Sequence, residues 1–334
     1  MKAVFIKEFG GAENLEIREV ENPPKPKGDE ILVRVKAAGL NRADILQRKG
    51  FYPAPKGFPE RTLGLEFAGE VAKVGERVQK LETGDRVFGI TAGGAQAEFV
   101  LTAENQLAKI PENMSFIEAA AIPEAFITAS DTIFTQGNLK ENETLLIHAV
   151  GSGVGLAALQ LAKAKGIRVF GTSRTEEKLD KCREFGLDLG IVGESELIEK
   201  NPNYFAEIIK EKTDGKGVDV ILDLVGAKYF GENLESLAFK GRLILVGLVG
   251  GAKAEFNLGI ALSKRLKIIG TVLRSRSAEE KAEATAVFAK EVLPLIEAGK
   301  IKPNLDKVFR FEDVREAHEY LESNKSFGKV VLEF

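Results

Sequence analysis

The stretch 143–178 constrains the fold more than any other part of the chain. An apolar run, 144–149, leads into three closely spaced glycines. The segment 156–166 is rich in leucine and alanine and ends in glycine, and a second apolar run covers 167–171. Strand, glycine turn, helix and strand make a βαβ unit. Its two strands are expected to be parallel and buried.

The glycine turn is similar to the dinucleotide-binding fingerprint G-x-G-x-x-G, with one departure. Gly151 and Gly153 match its first two glycines, but Leu156 takes the third place and Gly155 comes one residue early. Such a cluster also occurs in tight turns that bind nothing. Its place between an apolar strand and a helix favours a nucleotide site, because the backbone can approach a diphosphate there and the helix N-terminus supplies N–H donors.

The end of the second strand indicates which dinucleotide binds. Units that bind NAD usually place a carboxylate here, about 20 residues after the glycines, for the ribose 2′-hydroxyl. This chain has Thr172, Ser173 and Arg174 at that place, Lys178 follows, and no carboxylate precedes Glu176. A hydroxyl and two cations suit a 2′-phosphate, since charge-assisted bonds to phosphate are strong. NADPH is therefore the predicted cofactor, and the alternative is a helix start with ordinary solvated charges.

Length and composition set the class of protein. A chain of 334 residues predicts two domains, and 44% hydrophobic with 29% charged residues is typical of a soluble globular protein. The net charge of −3 gives no sign of nucleic-acid binding. With one cysteine, no internal disulfide can form, and a reducing compartment such as the cytoplasm is expected. The N-terminus is too charged for a signal peptide, and no membrane association is predicted.

The order of the elements predicts an α/β fold with two domains. Short strands separated by glycine and proline fill the first 110 residues, as in a small β-barrel. The polar segment 39–62 interrupts them, and it is expected to be irregular and to carry function. Strands then alternate with helices as in a doubly wound parallel sheet. The tail is expected to pack back on the barrel, which gives a discontinuous domain of 1–123 and 266–334 around a nucleotide-binding domain of 124–265.

Several motifs, in order and over almost the whole length, carry a resemblance to a known family. They are AAGLNRADILQRKGFY at 37–52, LGLEFAGEV at 63–71, AAAIPEAFITA at 119–129, LIHAVGSGVG at 146–155 and FGKVVLEF at 327–334. With them the chain resembles the zinc-free quinone oxidoreductases of the medium-chain dehydrogenase/reductase superfamily. The resemblance implies a GroES-like β-barrel domain, a Rossmann domain, NADPH as cofactor and a homodimer.

The resemblance also implies roles for individual residues. Asn41 and Tyr52 match positions that face the nicotinamide and the substrate, and they are the expected catalytic residues. The expected contacts to the cofactor are Thr128 near the nicotinamide, Ser152, Gly153 and Val154 at the diphosphate, Ser173, Arg174 and Lys178 at the 2′-phosphate, and Leu248 and Leu273 at the nicotinamide through their backbones. Asn324 stands where some relatives have a phosphate-binding arginine, and Gly193 stands where several have a tyrosine.

The same comparison predicts that no metal is bound. Zinc-dependent alcohol dehydrogenases have cysteine where this chain has Asn41 and histidine where it has Leu65. A zinc site needs three or four nitrogen, sulfur or oxygen ligands close together. Nitrogen and sulfur ligands are available only from Cys182, His148 and His318, which fall in a predicted helix, at a buried strand end and in a distant tail helix.

These features predict hydride delivery from NADPH to an acceptor that is already electron-poor. A quinone is the first choice, and an enoyl thioester, an alkenal or another enone is the alternative. Tyr52 is expected to hydrogen-bond the acceptor oxygen or to pass it a proton; otherwise it is a half-buried loop tyrosine, and Asn41 a turn-stabilising amide. A non-catalytic NADPH-binding sensor or structural protein is the alternative from another class.

Overall fold

The computed structural model describes residues 1–193, 201 and 203–334. They divide into two compact units. The first combines Met1–Ile127 with Leu273–Phe334, and the second is Thr128–Val272. The sequence-based division placed its second boundary after residue 265. The strand Lys267–Gly270, however, pairs with the sheet of the second unit, so that unit extends to Val272.

The strands are numbered in chain order. They are β1 Lys2–Ile6, β2 Leu15–Glu19, β3 Glu30–Leu40, β4 Glu66–Val74, β5 Arg86–Ile90, β6 Phe99–Ala103, β7 Leu107–Lys109, β8 Thr144–Ile147, β9 Arg168–Ser173, β10 Leu189–Val192, β11 Val218–Asp223, β12 Leu237–Leu245, β13 Lys267–Gly270, β14 Leu305–Arg310 and β15 Lys329–Glu333. The α-helices are Arg42–Arg48, Phe116–Ala119, Pro123–Ser130, Gly153–Ala164, Glu176–Arg183, Tyr204–Lys212, Ala227–Ser236, Leu258–Lys264, Ala278–Glu291, Leu293–Glu297 and Val314–Glu322.

A mostly antiparallel sheet builds the first unit. Its strand order is β14-β15-β3-β4-β5-β7, β6 also pairs with β3, and β1 pairs with β2 separately. Only the pair β14 and β15 is parallel among these. Val33, Phe67 and Val87 are buried residues of this sheet that form one of its cores. This sheet is the barrel part of the predicted fold.

The second unit is built on a parallel sheet with the order β10-β9-β8-β11-β12-β13 within the described residues. Every strand pair in it is parallel. Helices connect successive strands, as parallel pairing requires, and the order reverses at β8 and β11. The predicted α/β class, with a strand-rich first domain and a doubly wound parallel sheet in the second, is confirmed.

One local prediction was wrong. The polar segment 39–62 was expected to be irregular, but Arg42–Arg48 forms a helix. Asn41 is its N-cap residue, and the Asp44 carboxylate accepts a hydrogen bond from the Asn41 backbone N–H, as in a capping box. The helix buries polar residues, including Asp44 and Gln47. Its sequence therefore lacks the apolar stripe by which a helix is usually recognised.

The long helix predicted from residue 277 to about residue 298 is interrupted. Its capping box is confirmed, because Ser277 accepts a hydrogen bond from the Glu280 N–H and the Glu280 carboxylate accepts one from Ser277. The first helix ends at Glu291, and Leu293–Glu297 follows as a separate helix. Pro294 lies in its first turn, where the missing proline N–H is tolerated. In the part of the chain that the structure covers, no helix combines the length and apolarity needed to cross a membrane.

Candidate active site

The glycine turn of the second unit has the geometry of a helix N-terminus open to a ligand. Ser152 is the N-cap of the helix Gly153–Ala164, and its hydroxyl accepts a hydrogen bond from the Gly155 N–H at 3.1 Å. Gly153 and Val154 are in the first turn, where backbone N–H groups have no partner within the helix. These donors and the helix dipole make the turn suitable for an anion.

Gly155 explains the departure from the usual glycine spacing. A Cβ atom at this position would lie 2.6 Å from the carbonyl oxygens of both Ala149 and Val150. No side chain fits there without moving the backbone, so Gly155 permits the close approach of helix and strand for which the fingerprint usually uses its third glycine. Ala149 adopts a left-handed conformation, with φ of 51°, just before the turn. Such backbone strain is often found at functional sites.

The predicted 2′-phosphate residues lie at the end of β9 and just after it. Ser173 is buried, Arg174 is exposed, and Lys178 is half-buried on the helix Glu176–Arg183. Strand β9 is the neighbour of β8 in the sheet. The carboxyl ends of parallel strands meet at one edge, so the turn after β8 and the end of β9 are adjacent.

Tyr229 is a residue near this end of the sheet that sequence reasoning missed. Its hydroxyl donates a hydrogen bond of 2.8 Å to the Gly193 carbonyl oxygen, and a Cβ atom at Gly193 would lie 2.5 Å from that hydroxyl. The Tyr229 ring therefore occupies the space that a larger residue at 193 would need. Burial, together with the charge of Glu232, raises the pKa of Tyr229 to about 12. The Arg174 guanidinium acts in the opposite direction.

The first unit contains a buried ion pair that orients Asn41. The Lys329 ammonium donates to the Glu66 carboxylate at 2.5 Å, to the Asn41 side-chain oxygen at 2.7 Å and to the Leu40 carbonyl oxygen at 2.9 Å. The Asn41 amide nitrogen donates to Glu66 at 2.8 Å. Glu66 is fully buried and Lys329 nearly so. The Asn41 amide is thus fixed in one orientation and retains one amide hydrogen.

Two further carboxyl groups lie near this ion pair. Asp44 is fully buried and accepts from the Asn41 N–H at 2.8 Å and the Gly64 N–H at 3.1 Å. Burial raises its pKa to about 6, although both hydrogen bonds oppose the shift. Glu124 donates its backbone N–H to Glu66 at 2.8 Å. Burial raises the pKa of the Glu124 side chain to about 8, and the neighbouring Glu66 charge adds to the effect. Glu124 therefore holds a proton at neutral pH.

Arg274 fixes the segment that carries Tyr52. It donates to the carbonyl oxygens of Ala92 at 2.8 Å and Tyr52 at 3.1 Å, and to the Gln47 side-chain oxygen at 2.7 Å. Its guanidinium carbon lies 5.0 Å from the centroid of the Tyr52 ring, which allows a cation–π contact. Burial raises the pKa of Tyr52 to about 12, with a contribution from Glu124, so the hydroxyl remains protonated and can donate a hydrogen bond.

The remaining predicted residues lie in different parts of the chain. Thr128 is half-buried in the helix Pro123–Ser130, and Leu248 is exposed after β12. Leu273 is buried at the start of the first unit's second segment. Asn324 has a positive φ of 60°, and its side-chain oxygen accepts a hydrogen bond from the Arg42 guanidinium. Arg42 thus brings a cation to a position where the sequence comparison noted a missing arginine.

Sequence reasoning missed four charged residues of the first unit: Glu66, Glu124, Arg274 and Lys329. Glu66 and Lys329 lie inside the motifs LGLEFAGEV and FGKVVLEF, within otherwise apolar runs. A charge in a predicted buried strand needs a partner, and this was the available signal. Within the described residues, no group of three or more His, Cys, Asp or Glu side chains is placed to hold a metal.

Comparisons with known proteins agree with this architecture. Residues 27–112 match the alcohol dehydrogenase GroES-like domain family, and residues 153–290 match the zinc-binding dehydrogenase family. The chain is 33% identical to the quinone oxidoreductase of Rattus norvegicus over 99% of its own length and 97% of that protein.

Solved structures show the same likeness. The Escherichia coli quinone oxidoreductase complexed with NADPH superposes with a TM-score of 0.87 at 32% identity, over 100% of both chains. The apo form of the JamJ enoyl reductase gives a TM-score of 0.85 at 29% identity, over 99% of this chain and 98% of that one. In sequence along its whole length and in fold, the chain therefore belongs to the quinone oxidoreductase family, a group of oxidoreductases within the medium-chain dehydrogenase/reductase superfamily.

Proposed function

We propose that the chain is an NADPH-dependent reductase that transfers a hydride to a quinone. The observation that carries this proposal is the cationic end of β9, where Ser173 and Arg174 stand without a carboxylate, next to the open helix N-terminus at Gly153. The related Escherichia coli enzyme was crystallised with NADPH, which supports the same cofactor here. Family membership supports the quinone as acceptor.

Replacing Arg174 with alanine is expected to weaken NADPH binding roughly 10- to 150-fold. A hydrogen bond to a charged group contributes about 1.5–3 kcal/mol, and each 1.4 kcal/mol is about tenfold in affinity. The affinity for NADH should barely change, because NADH has no 2′-phosphate. Titration followed by the fluorescence of the reduced nicotinamide, or calorimetry, with each cofactor measures the two constants.

Arg168→Ala is the matched control for this change. Arg168 is also exposed, lies at the opposite end of β9, and packs over the Phe170 ring with its guanidinium carbon 4.7 Å from the centroid. Its removal should leave both affinities unchanged. Equal weakening of NADPH and NADH by Arg174→Ala would show that Arg174 does not select the phosphate.

The chemistry assigned to the first unit is orientation and hydrogen bonding. NADPH, when bound, supplies the hydride. Tyr52 is held by Arg274 and carries a protonated hydroxyl, so it is assigned the hydrogen bond to the acceptor oxygen. Asn41, held by Lys329 and Glu66, is assigned a fixed amide hydrogen. Groups held in place in this way stabilise developing negative charge without reorganising.

Tyr52→Phe is expected to lower turnover while leaving NADPH binding nearly unchanged. The ring and its contact with Arg274 remain, and only the hydroxyl is lost. Removing one such donor costs up to about 3 kcal/mol of barrier. The loss should be smaller with a quinone than with an enone, because the reduced quinone is aromatic. Steady-state rates with both acceptors test this, and equal rates for variant and wild type with both would leave Tyr52 a packing residue.

An enoyl or enone reductase is the second candidate. The likeness to the JamJ enoyl reductase favours it, and so does the proton that Glu124 holds at neutral pH. Both candidate reactions consume one hydride and one proton, but saturation of a double bond places the proton on carbon, whereas a hydroquinone oxygen can take it from water. A protonated acid in the first unit therefore suits the enoyl or enone reaction better. Comparison of kcat/KM for quinones, alkenals and enoyl thioesters separates the two candidates.

A homodimer joined through the second unit is also proposed. Within the described residues, strand β13 lies at one edge of its sheet, and an unpaired edge is a template for another strand. Leu258 and Leu262 on the helix before it are 71% and 81% exposed, and Ile268 and Val272 are exposed as well. Exposed apolar residues next to an open edge suit a second copy of the same surface.

Light scattering at micromolar concentration is expected to give twice the chain mass of 36.3 kDa. Leu262→Glu should shift the protein toward the monomer, because it places a charge in an apolar interface. Val74→Glu, at an exposed apolar position of the first unit, is the control and should leave the mass unchanged. A wild-type protein of single-chain mass would contradict the dimer.

A further inference from the structure

Four buried side chains of the second unit form a continuous hydrogen-bonded chain. The Thr172 hydroxyl lies 2.9 Å from His148 Nδ1, and His148 Nε2 lies 2.6 Å from the Asn233 side-chain oxygen. The Asn233 amide nitrogen then donates to the Asp223 carboxylate at 3.0 Å. His148, Asn233 and Asp223 are fully buried and Thr172 nearly so. A buried polar network of this kind is rigid when every member has its partner.

This hydrogen-bonded network crosses three neighbouring strands at the end of the sheet where a ligand is expected. Thr172 is near the end of β9, His148 directly follows β8, and Asp223 is the last residue of β11. These strands are adjacent in the order β9-β8-β11. In doubly wound sheets, ligands bind outside the carboxyl ends of the strands at the point where the strand order reverses. The hydrogen-bonded network thus runs beneath the proposed nucleotide site.

The direction of each side-chain hydrogen bond in this network can be deduced. A carboxylate only accepts, so the Asn233 amide nitrogen must face Asp223 and its oxygen must face His148. An oxygen acceptor at His148 Nε2 requires that this nitrogen carries the hydrogen. Burial lowers the pKa of His148, which keeps the ring neutral. Nδ1 is then an acceptor, and the Thr172 hydroxyl must donate to it.

Both ends of this network control backbone turns. At one end, Asp223 accepts from the Val225 N–H at 2.7 Å and the Gly226 N–H at 2.9 Å. At the other, the Thr172 carbonyl oxygen accepts from the Val150 N–H at 2.9 Å, and the His148 N–H donates to the Leu222 carbonyl oxygen at 3.0 Å. The turn after β8 and the turn after β11 are therefore tied to one another through His148.

We propose that Thr172, His148, Asn233 and Asp223 act together as a positioning network for the dinucleotide, in which His148 in its Nε2–H form holds the glycine turn and the turn at Asp223 in register. The role in NADPH binding rests on the proposed function. The deduced hydrogen order is independent of it. The two can therefore be tested separately.

The hydrogen order is tested by ¹⁵N NMR of the ring nitrogens in protein labelled on histidine. The chain contains two histidines, so a His318→Phe variant identifies the signals of His148. The spectrum is expected to show the neutral Nε2–H form at neutral pH. A neutral Nδ1–H form, or a doubly protonated ring, would overturn the deduced order.

The positioning role is tested by exchanging the acid at position 223 and the amide at position 233. Asn233→Asp faces the Asp223 carboxylate with a second carboxylate and removes the donor. NADPH binding should weaken about 10- to 150-fold. Adding Asp223→Asn restores a donor opposite an acceptor at every step. The new amide nitrogen at 223 would donate to the new carboxylate at 233, and the new amide oxygen would still accept from the Val225 and Gly226 N–H groups. The double variant should bind NADPH within about threefold of wild type. A role limited to packing would give no loss in the single variant, because aspartate and asparagine have nearly the same size.

Asn257→Asp is the control for the charge change. Asn257 is exposed, and its side-chain oxygen accepts from the Gly259 N–H, a bond that aspartate also makes. NADPH affinity equal to wild type in a folded Asn233→Asp protein would overturn the inference. If that single variant does not fold, the double variant decides. NADPH binding by the double variant that is more than about tenfold weaker than that of wild type would contradict the network. Failure of the wild-type protein to bind NADPH would overturn the proposed function and the positioning role with it, but not the hydrogen order.

Discussion

Replacing Lys329 with methionine is expected to lower the free energy of unfolding by about 3–5 kcal/mol, because it leaves a buried charge without its partner. Glu66 is fully buried, and Lys329 is its only salt-bridge partner within the described residues. The methionine would also leave the Leu40 and Asn41 oxygens without the donor they now share. Equilibrium unfolding in urea measures the change.

Two further variants show whether the loss comes from the buried charge. Lys36→Met removes an exposed lysine that lies 3.8 Å from Glu70, and exposed pairs of this kind contribute about 0–1 kcal/mol. Adding Glu66→Gln to Lys329→Met removes the stranded charge, so the double variant should be more stable than Lys329→Met alone. A loss below about 1 kcal/mol in Lys329→Met would mean that the pair does not hold this part of the fold together.

The chain is expected to lose roughly 3 kcal/mol of stability between pH 7 and pH 4 through His318 alone. His318 is fully buried, and neither ring nitrogen has a hydrogen-bond partner among the described residues. Burial lowers its pKa to about 3, the Arg48 charge lowers it further, and Glu322 acts in the opposite direction. The ring therefore stays neutral in the folded protein while it takes up a proton in the unfolded chain.

The sign of this effect follows from the two pKa values. The folded-state pKa of about 3 lies below the unfolded value of 6.5, so the unfolded chain binds more protons between them. Stability from this group is complete above pH 6.5 and is lost as the pH falls toward 3. His318→Phe removes the titration without losing a hydrogen bond, and its unfolding free energy should fall less steeply over the same range. Parallel curves for variant and wild type would contradict this.

The second unit could be predicted from the sequence in more detail than the first. Its strands are apolar runs, its turns are marked by glycine, and β8, the helix Gly153–Ala164 and β9 are contiguous in the chain. Local pattern therefore sufficed for the βαβ unit. The tie from His148 to Asn233 spans 85 residues, and local pattern gave no sign of it.

The polar centre of the first unit was harder to predict because its partners are far apart in the chain. Lys329 and Glu66 are separated by 263 residues, and either residue read alone suggests a surface charge. Arg274 reaches Gln47 across 227 residues. The helix Arg42–Arg48 was missed because it buries polar side chains, among them Gln47, whose side-chain oxygen accepts from Arg274. Asn41 and Tyr52 were proposed as site residues from the family motif, which gave no sign of the groups that hold them.

The most direct test of NADPH-dependent quinone reduction is oxidation of NADPH and NADH by the purified protein with a panel of quinones, alkenals and enoyl thioesters. Consumption of NADPH should depend on the acceptor and be fastest with a quinone, and consumption of NADH should be much slower. Dominant activity with an enoyl thioester would replace the first candidate acceptor with the second. No activity with any acceptor, or equal use of NADH and NADPH, would contradict an NADPH-dependent reductase.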